Sequence, residues 1–443
     1  MKKEPDSRNT RATIPAVSQI LPNGELLELV YDSRAKRTRF VVGLGEDVRL
    51  VDTYALPDGS RLVPYSATNN LIRHEVMLLA QTPEPYGSVA ELTSRIDEYL
   101  QRYVDLDDAF RTLITYYILL TWVYDAFNEL PYLRFRGEYG SGKTRALFVI
   151  GSLCNKAFFA SGASTISPIF HTLDSFRGTL LFDEADFRFT DEKAELVKIL
   201  NNGNVRGFPV LRTAVTPKKE FEPRAFNVYG PKLVAMRRSY EDEALESRFF
   251  TEEMGRRPLR VDIPINLPDQ QREEALTLRN QLLSYRFAAL ANLKADAGLV
   301  DPALSPRMNQ ILVPLLSIVE NDGVRARIRS AIVNAHPSPS TETNQNADRC
   351  LLLVLSSLFG DPDTPSVSVG EIAGHLIKRF GNEFRRPLTS RYVGELLRER
   401  LGITTYKKHG VFVVSDSEAP RIEALCQRFG IPFRMPEGDA VPE

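Results

Sequence analysis

A chain of 443 residues is long enough, at about 150 residues per domain, for roughly three domains, which excludes a single small one. Its 43% hydrophobic and 26% charged content excludes the disordered and collagen-like classes. With 56 Lys+Arg against 57 Asp+Glu the formal net charge is -1, so a globally basic binding mode is excluded and any nucleic-acid contact must come from local clusters.

The opening residues, MKKEPDSRNTR, are charged and no apolar segment follows them, so no signal peptide is expected. Cys154, Cys350 and Cys426 lie far apart without a CxxC pair. That supports neither a disulfide framework nor a cysteine zinc site, and points to a reducing, cytoplasmic setting. Residues 24–64 carry short β-branched and aromatic runs, LLELVYDS, TRFVVGLG and VRLVDTYALPDGSRLVPY, with a hairpin predicted at Pro57-Asp58-Gly59. Residues 1–85 are therefore expected to form a small β-rich N-terminal module, with a Pro/Gly linker at 82–87. Helical spacing of Val89, Leu92, Ile96 and Leu100 opens a helical collar over 86–130. The most apolar window, LITYYILLTWV at 113–123, is shorter than the ~20 residues of a membrane span and predicts a buried helix. No membrane partner is expected.

Over 131–268 strand candidates alternate with helices: LRF, a helix from Lys143, TLLF, a helix from Asp191, then KLVAM. This is the pattern of an α/β core with a parallel sheet. A long amphipathic helix at 270–293 begins an α-helical lid over 269–335. The polar stretch HPSPSTETNQN marks a linker at 336–348, followed by a compact domain at 349–415 and a tail at 416–443.

The chemistry concentrates in the core. Gly137-Glu138-Tyr139-Gly140-Ser141-Gly142-Lys143-Thr144 matches GxxxxGK[ST], between a strand and a helix as that motif requires. Gly137, Gly140 and Gly142 let successive backbone N–H groups, with Ser141, turn inward around phosphates, and a helix N-terminus behind them favours negative charge. Lys143 would neutralise the β/γ-phosphates of ATP and the Thr144 hydroxyl would ligate Mg²⁺. Downstream, the strand Thr179-Leu180-Leu181-Phe182 ends in Asp183-Glu184. Asp183 would hold the Mg²⁺ shell while Glu184 polarises the attacking water. The letters Asp183-Glu184-Ala185-Asp186 also spell the DEAD box of an RNA-helicase superfamily, but the SAT and HRxGR motifs that should follow are missing.

Two strand-like runs flank Thr216-Pro217-Lys218-Lys219-Glu220, predicting a hairpin whose basic tip would suit a polyanion backbone. The other reading of Lys218 and Lys219 is a solvated turn that protects a sheet edge. After KLVAM, the acidic turn YEDEALESR ends in Arg248, a candidate arginine finger for a neighbouring subunit; alternatively, Arg248 pairs with Asp242 or Glu246 on its own helix.

The run from RGEYGSGKT through LLFDEADF and FNVYGPKLVAM to DEALESR resembles the ATPase domain of replicative helicases and primase-helicases of phages, plasmids and mobile elements, an AAA+-like group close to the superfamily 3 helicases. The resemblance covers about residues 131–254. It implies a ring-forming motor on DNA, a hexamer by expectation, with Lys143 and Thr144 on phosphate and Mg²⁺, Asp183 and Glu184 as the acidic pair and Arg248 as the finger in trans. In place of the polar sensor usual after the strand that follows the hairpin, Val234-Ala235-Met236 runs into Arg237-Arg238, with either Arg237 as a substitute sensor or weaker sensing expected. No primase segment precedes residue 131, so a separate primase or initiator is an expected partner.

Three helix candidates, at 350–358, 369–380 and 389–400, and a hairpin turning at His409-Gly410 resemble a winged helix-turn-helix. Its third helix carries Arg391, Arg398 and Arg400, and its wing carries Lys407, Lys408 and His409; Arg385 and Arg386 precede the helix. These would contact DNA, or they solvate a helix face against Glu395 and Glu399 in a protein-docking module. None of the five histidines forms a metal motif; His171 and His375 are expected to pack, and Cys154 to act as a small buried hydrophobe.

The expected architecture is an α/β P-loop NTPase (AAA+-like) core with a small β-rich N-terminal module, an α-helical lid and a C-terminal winged-helix domain. The expected function is an ATP-dependent DNA helicase or translocase on single-stranded or forked DNA. Two alternatives stand beside it: a DNA-bound ATPase remodeller or initiator-loading factor, and a winged-helix regulator with a nucleotide switch.

Overall fold

The structure is a computed structural model that describes residues 12–162, 164–183, 191–215, 221–240, 242–255, 259–302, 304–335, 341–359, 366–380, 388–429 and 431–433. The chain divides into two compact units, residues 1–335 and 336–443.

Seven short strands open the first unit: β1 (Thr13–Ala16), β2 (Ser18–Ile20), β3 (Leu26–Asp32), β4 (Arg37–Leu44), β5 (Asp47–Val51), β6 (Tyr54–Ala55) and β7 (Arg61–Pro64). They make an antiparallel sheet in the order β2-β3-β4-β5 and a three-stranded sheet β1-β7-β6, in which β1 runs parallel to β7. The hairpin predicted at Pro57-Asp58-Gly59 joins β6 to β7, with Leu56 N donating to Ser60 O at 2.9 Å. A short helix α1 (Asn70–Arg73) and strand β8 (Met77–Leu78) follow. The stretch expected to be a linker at 82–87 is instead tied to a later helix: Gln81 N and Thr82 N donate to Asn280 Oδ1 at 2.9 and 3.3 Å, and Glu84 N to Asn280 O at 3.2 Å.

The collar is two helices, α2 (Val89–Tyr103) and α3 (Asp108–Val123). Ser88 and Glu91 form a capping box at the start of α2, and Asp107 caps α3 by accepting from Ala109 N and Phe110 N. Leu92, Ile96 and Leu100 are fully buried, as their spacing predicts. The apolar window at 113–123 is the buried heart of α3, where each large apolar side chain removed from water is worth about 1.5–3 kcal/mol. Among the described residues no helix is long and apolar enough to cross a membrane.

The core then runs β9 (Tyr132–Arg136), α4 (Lys143–Gly151), β10 (Ala157–Ser161), α5 (Ile166–Phe176), β11 (Leu180–Asp183), α6 (Asp191–Asn202), the hairpin β12 (Val210–Val215) and β13 (Phe221–Phe226), β14 (Lys232–Met236), α7 (Glu243–Glu246) and β15 (Phe249–Glu253). The central sheet has the order β15-β9-β14-β11-β10-β8, with every strand parallel except β8. Side chains alternate between its faces, as strand geometry requires. Leu133, Phe135, Leu181, Leu233, Ala235 and Phe250 pack with α2, α3 and α4 in one core. Tyr132, Phe158, Leu180, Phe182, Val234 and Phe249 pack with α5 and α6 in the other. The result is a P-loop-like α/β core covered on both faces. Three helices, α8 (Gln270–Ala289), α9 (Pro306–Ser317) and α10 (Asp322–Ala335), close the unit and join the first core.

The second unit contains α11 (Thr341–Leu358), β16 (Ser366–Ser368), α12 (Val369–Phe380), α13 (Ser390–Glu395), β17 (Tyr406–Lys408), β18 (Val411–Ser415) and α14 (Ala419–Arg428). Residues 341–346, expected to be linker, are the first turns of α11. A wider turn carries α13 on through Arg400, closed by Leu401 N on Leu396 O at 3.2 Å. The three strands pair antiparallel in the order β16-β18-β17. Leu351, Leu355, Ile372, Leu376, Leu397 and Ile422 form a core of their own.

Candidate active site

The glycine-rich loop of residues 137–142 leaves β9 between its two neighbours in the sheet. Gly137 N donates to Met236 O at 3.3 Å on one side, and Met254 N to Arg136 O at 2.7 Å on the other. A Cβ at Gly137 would lie 2.6 Å from Met254 O and 2.7 Å from Ser141 Oγ, so only glycine lets the chain pass there. Gly142 has φ 88 at the N-cap of α4, a left-handed turn that delivers Lys143 and Thr144 to the first helical turn. Lys143 Nζ curls back over the loop, donating to Gly137 O and Glu138 O at 2.7 Å and to Ser141 Oγ at 3.3 Å. Six residues of sequence separation thus close into a loop with the Lys143 ammonium held over its carbonyls.

Strand register brings the acidic residue to the same edge. Phe182 pairs with Val234, and Ala235 with Phe135, so Asp183 at the end of β11 stands level with the last turns of β9 before the loop. With neighbouring strands about 4.8 Å apart, β14 separates the two chains by roughly 10 Å. That gap at the C-terminal ends of parallel strands is where α/β sheets hold ligands. Arg237 and Arg238 follow β14 directly into it and are exposed. The Thr144 hydroxyl and the Asp183 carboxylate are hard oxygen donors of the kind Mg²⁺ takes together with substrate phosphates, so the residues present fit that ion. Glu184 lies outside the described residues.

Arg248 sits at the opposite edge. It immediately precedes β15, and its carbonyl accepts from Tyr132 N, the first residue of β9, at 2.9 Å. Five residues of β15, at about 3.3 Å each, put it roughly 16 Å from the glycine-rich loop of its own chain. The helix-surface ion pair weighed for it does not form among the described residues. Glu246 is taken by Arg134, whose Nη2 lies 2.6 Å from its Oε2, and Asp242 caps α7 by accepting from Ala244 N at 2.9 Å. Arg248 instead donates through Nε to Asn204 Oδ1 at 3.0 Å and through Nη1 to Ala244 O. Burial and the neighbouring Arg307 lower its pKa.

The predicted hairpin is β12–β13, paired in register from Val210↔Phe226 to Val215↔Phe221. Lys218 and Lys219 at its tip lie outside the described residues. Of its described cations, Arg212 lies over the Phe170 ring at 4.0 Å and pairs with Glu195, and Arg224, exposed, lies 3.7 Å from Asp174. In the second unit Thr389 caps α13 by accepting from Tyr392 N at 3.3 Å. Arg391 is exposed, and so are Lys407, Lys408 and the turn at His409-Gly410, both of whose residues have positive φ. Arg398 donates to Thr405 Oγ1 at 3.2 Å and lies over Phe412, which pairs with Lys407 across the β17–β18 hairpin, so these three share one face. Arg400 is paired with Asp348 at 2.9 Å and Lys408 reaches Ser366 Oγ at 3.5 Å. Arg385 and Arg386 lie outside the described residues. His171 is exposed, edge-on to Phe226, rather than packed inside, whereas Cys154 is buried, with its thiol pushed up to about 12 by burial.

Several residues around the site carry no sequence signal. Met254 and Gly255 back the loop: the Met254 methyl lies 3.6 Å from where a Gly142 Cβ would be, and a Cβ at Gly255 would come 2.9 Å from Ser141 Cβ. Arg136, just before the loop, is braced by Glu253 and Ser239, with Nε 2.6 Å from Glu253. These partners lie more than a hundred residues away in sequence.

No protein family model matches the chain, and no curated protein does. Solved structures offer distant likenesses. The apo NrS-1 C terminal region aligns over 88% of this chain and 96% of that one, at 10% identity and a TM-score of 0.38. JCV Helicase aligns over 55% of this chain and 66% of that one, at 14% identity and a TM-score of 0.24. CDC6P from Pyrobaculum aerophilum aligns over 80% of this chain and 98% of that one, at 12% identity and a TM-score of 0.16. Likenesses at such scores carry no weight in assigning a function to this chain.

Proposed function

We propose that the chain is an ATP-hydrolysing P-loop motor that acts as a DNA helicase or translocase in a ring of identical subunits, in the replication of a phage or mobile element. The observation that carries this reading is the division of one sheet into two working edges: the cradle of Gly137, Ser141 and Lys143 with Asp183 at one, and Arg248 at the other. An arginine roughly 16 Å from its own phosphate loop can serve only the loop of another subunit, so hydrolysis would require assembly.

In this reading Lys143 exchanges its loop carbonyls for the β/γ-phosphates, and the backbone N–H groups behind Gly140 and Gly142 bind the same oxygens. Thr144 and Asp183 would hold Mg²⁺, which supplies positive charge to the phosphate oxygens when bound. Glu184 orients and deprotonates the attacking water, and Arg237, at the end of the strand between the two motifs, reads the γ-phosphate in its own subunit. Arg248 of the next subunit stabilises the charge that develops on the transferred phosphoryl group, an effect of on the order of 10³ to 10⁵ in rate. Lys218 and Lys219 would track the DNA backbone. The helix and strand order of the second unit supports a winged-helix reading, in which Arg391, Arg398, Lys407 and Lys408 would hold duplex phosphates.

The test is steady-state ATP hydrolysis by the wild-type chain and Glu184→Gln, each with and without single-stranded DNA, with mass measured under the same conditions. Turnover that DNA stimulates, that the variant loses and that accompanies a ring-sized assembly is expected, followed by ATP-dependent strand displacement on a fork. A monomer that binds ATP without turnover and ignores DNA would overturn the motor and favour a nucleotide switch.

A further inference from the structure

The face of the β17–β18 hairpin that turns toward Arg398 ends in an aromatic ring that the core does not cover. Phe412 shares this face with Val414, two residues on; Val414 is fully buried in the core of the second unit, and Phe412 is 52% exposed. Over the ring lies the guanidinium of Arg398, 5.9 Å from its centroid, held by Thr405 Oγ1 at 3.2 Å. The same guanidinium occupies the space a side chain at Gly394 would need: a Cβ there would come 3.1 Å from Arg398 Nη1. Glycine inside a helix costs about 0.5–1 kcal/mol relative to alanine, and here the missing side chain gives the guanidinium its seat.

Cations flank the ring. Lys407 pairs with Phe412 across the hairpin, and Arg391 shares a face of α13 with Gly394, three residues on; both cations are exposed. Among the described residues no carboxylate forms an ion pair with Arg391, Arg398 or Lys407, whereas Arg400 is paired with Asp348. Uncompensated cations attract phosphates, but phosphates offer a half-exposed ring nothing. A nucleobase satisfies both, since bases stack on aromatic rings and guanidinium planes while the phosphates on either side meet the charges. A base is free to do so only where it is unpaired. An acidic peptide would match the charges and leave the ring in water.

We propose that Phe412 and Arg398 form a stacking site for an unpaired nucleobase, with Lys407 and Arg391 on the adjoining phosphates, so that the second unit holds nucleic acid where a single strand leaves a duplex. The site rests on the nucleic-acid reading of this unit given above and adds to it a contact with a base. Phe412 supplies the ring and Arg398 a second planar surface beside it, which a lysine could not replace.

Full-length Phe412→Trp provides the readout. Trp122, the one tryptophan of the chain, is buried, so emission above that of wild type reports on the hairpin. Three probes are added: a duplex with an oligothymidylate tail, the same duplex with an abasic tail, and a blunt duplex. The first is expected to quench the added emission by at least half, and the other two to leave it unchanged, because they bring phosphates without an unpaired base. Arg398→Lys in the Phe412→Trp chain, which keeps the charge and loses the plane, should weaken the titration by at least about threefold. An unweakened titration overturns Arg398 as part of the site. Equal quenching by all three probes overturns the base contact and leaves the nucleic-acid reading standing, since phosphates alone would then account for it. Silence toward all three overturns both, and quenching by polyglutamate would then assign this face to an acidic protein partner. If Phe412→Trp unfolds below the wild-type temperature, 2-aminopurine in the tail replaces it as reporter. The wild-type chain should quench that base at least about twice as strongly as Phe412→Leu, and equal quenching overturns the site.

Discussion

Lys143 owes its position to the oxygen atoms of its own loop, which is why its removal should silence the site without unfolding the chain. The ammonium is partly exposed and bonds Gly137 O and Glu138 O, acceptors that water can satisfy once the side chain is gone. For Lys143→Ala we expect turnover to fall by at least about 100-fold, the size of effect seen when one preorganised charge is lost from a transition state, with the unfolding temperature unchanged within a few degrees. Lys232 is the opposite case. It is fully buried at the start of β14, donates to Gly203 O, Val228 O and Gly230 O at 3.2, 2.8 and 2.9 Å, and lies 5.0 Å from the Tyr132 ring. Burial pulls its pKa from 10.5 down to about 7. Above pH 7 the native chain sheds this proton while the unfolded chain keeps it, so stability rises with pH until the unfolded value is reached. Cys154, raised to about 12 from 9.0, works against stability only above about pH 9. Between pH 7 and 8.5 the wild-type chain should therefore gain about 1.5 kcal/mol in denaturant unfolding, and Lys232→Met should flatten that rise. Lys143 was legible in the sequence because its role is written in neighbouring letters. Lys232 was not, since KLVAM shows only a strand and the three carbonyls that hold its ammonium belong to other turns.

Elements of the first unit are locked together by a buried charge cluster that no local pattern announces. Arg286 of α8 lies 2.7 Å from both Glu28 of β3 and Asp125 after α3, and Lys156, between α4 and β10, lies 2.8 Å from Glu28. Burial works to raise both carboxyls, but the charges of Arg286 and Lys156 and the hydrogen bonds to the carboxylates together outweigh it, holding Glu28 and Asp125 below the ordinary carboxylate range. Removing one member of such a buried group costs about 3–5 kcal/mol because the remaining charge is left uncompensated. Arg286→Met should cost that much in equilibrium unfolding, and Glu28→Gln in the same chain should return part of it. The pH dependence has a fixed sign. With folded pKa values depressed, the stabilisation is present above the ordinary carboxylate values and is lost as pH falls through the lowered ones, so an acid titration of wild type should show a transition that Arg286→Met weakens. The helix α2, the strand β9 and the long helix α8 were readable from spacing and apolar alternation. The strands β10 and β15 were not, because AFFAS and FFTEE are short and carry no turn signal. The tie between 82–87 and Asn280 escaped for the same reason as the charge cluster: its partners meet only once the chain has folded.

At the scale of the whole molecule the two units bury separate cores, one set of residues ending at Ile332 and the other running from Cys350 to Ile431. The polar composition near residue 336 signalled the division, though α11 begins within the stretch expected to be linker, since a polar sequence can take helical form once the following turns are anchored by Cys350 to Leu355. Because the second unit contains its own sheet and helix core, residues 336–443 produced alone should unfold cooperatively, as a change in circular dichroism with heat would show. If Arg391, Arg398, Lys407 and Lys408 hold DNA phosphates, the same fragment should bind duplex DNA with an affinity that falls with salt, by about 0.9 in the log–log slope for each contact made. Lys407→Glu with Lys408→Glu should lower that affinity by at least tenfold and reduce the slope, while leaving the unfolding transition in place, because both side chains are exposed on β17. An affinity indifferent to salt and to both substitutions would instead make this unit a protein-docking module. The DNA dependence of hydrolysis would then have to originate in the first unit, at the hairpin of Lys218 and Lys219.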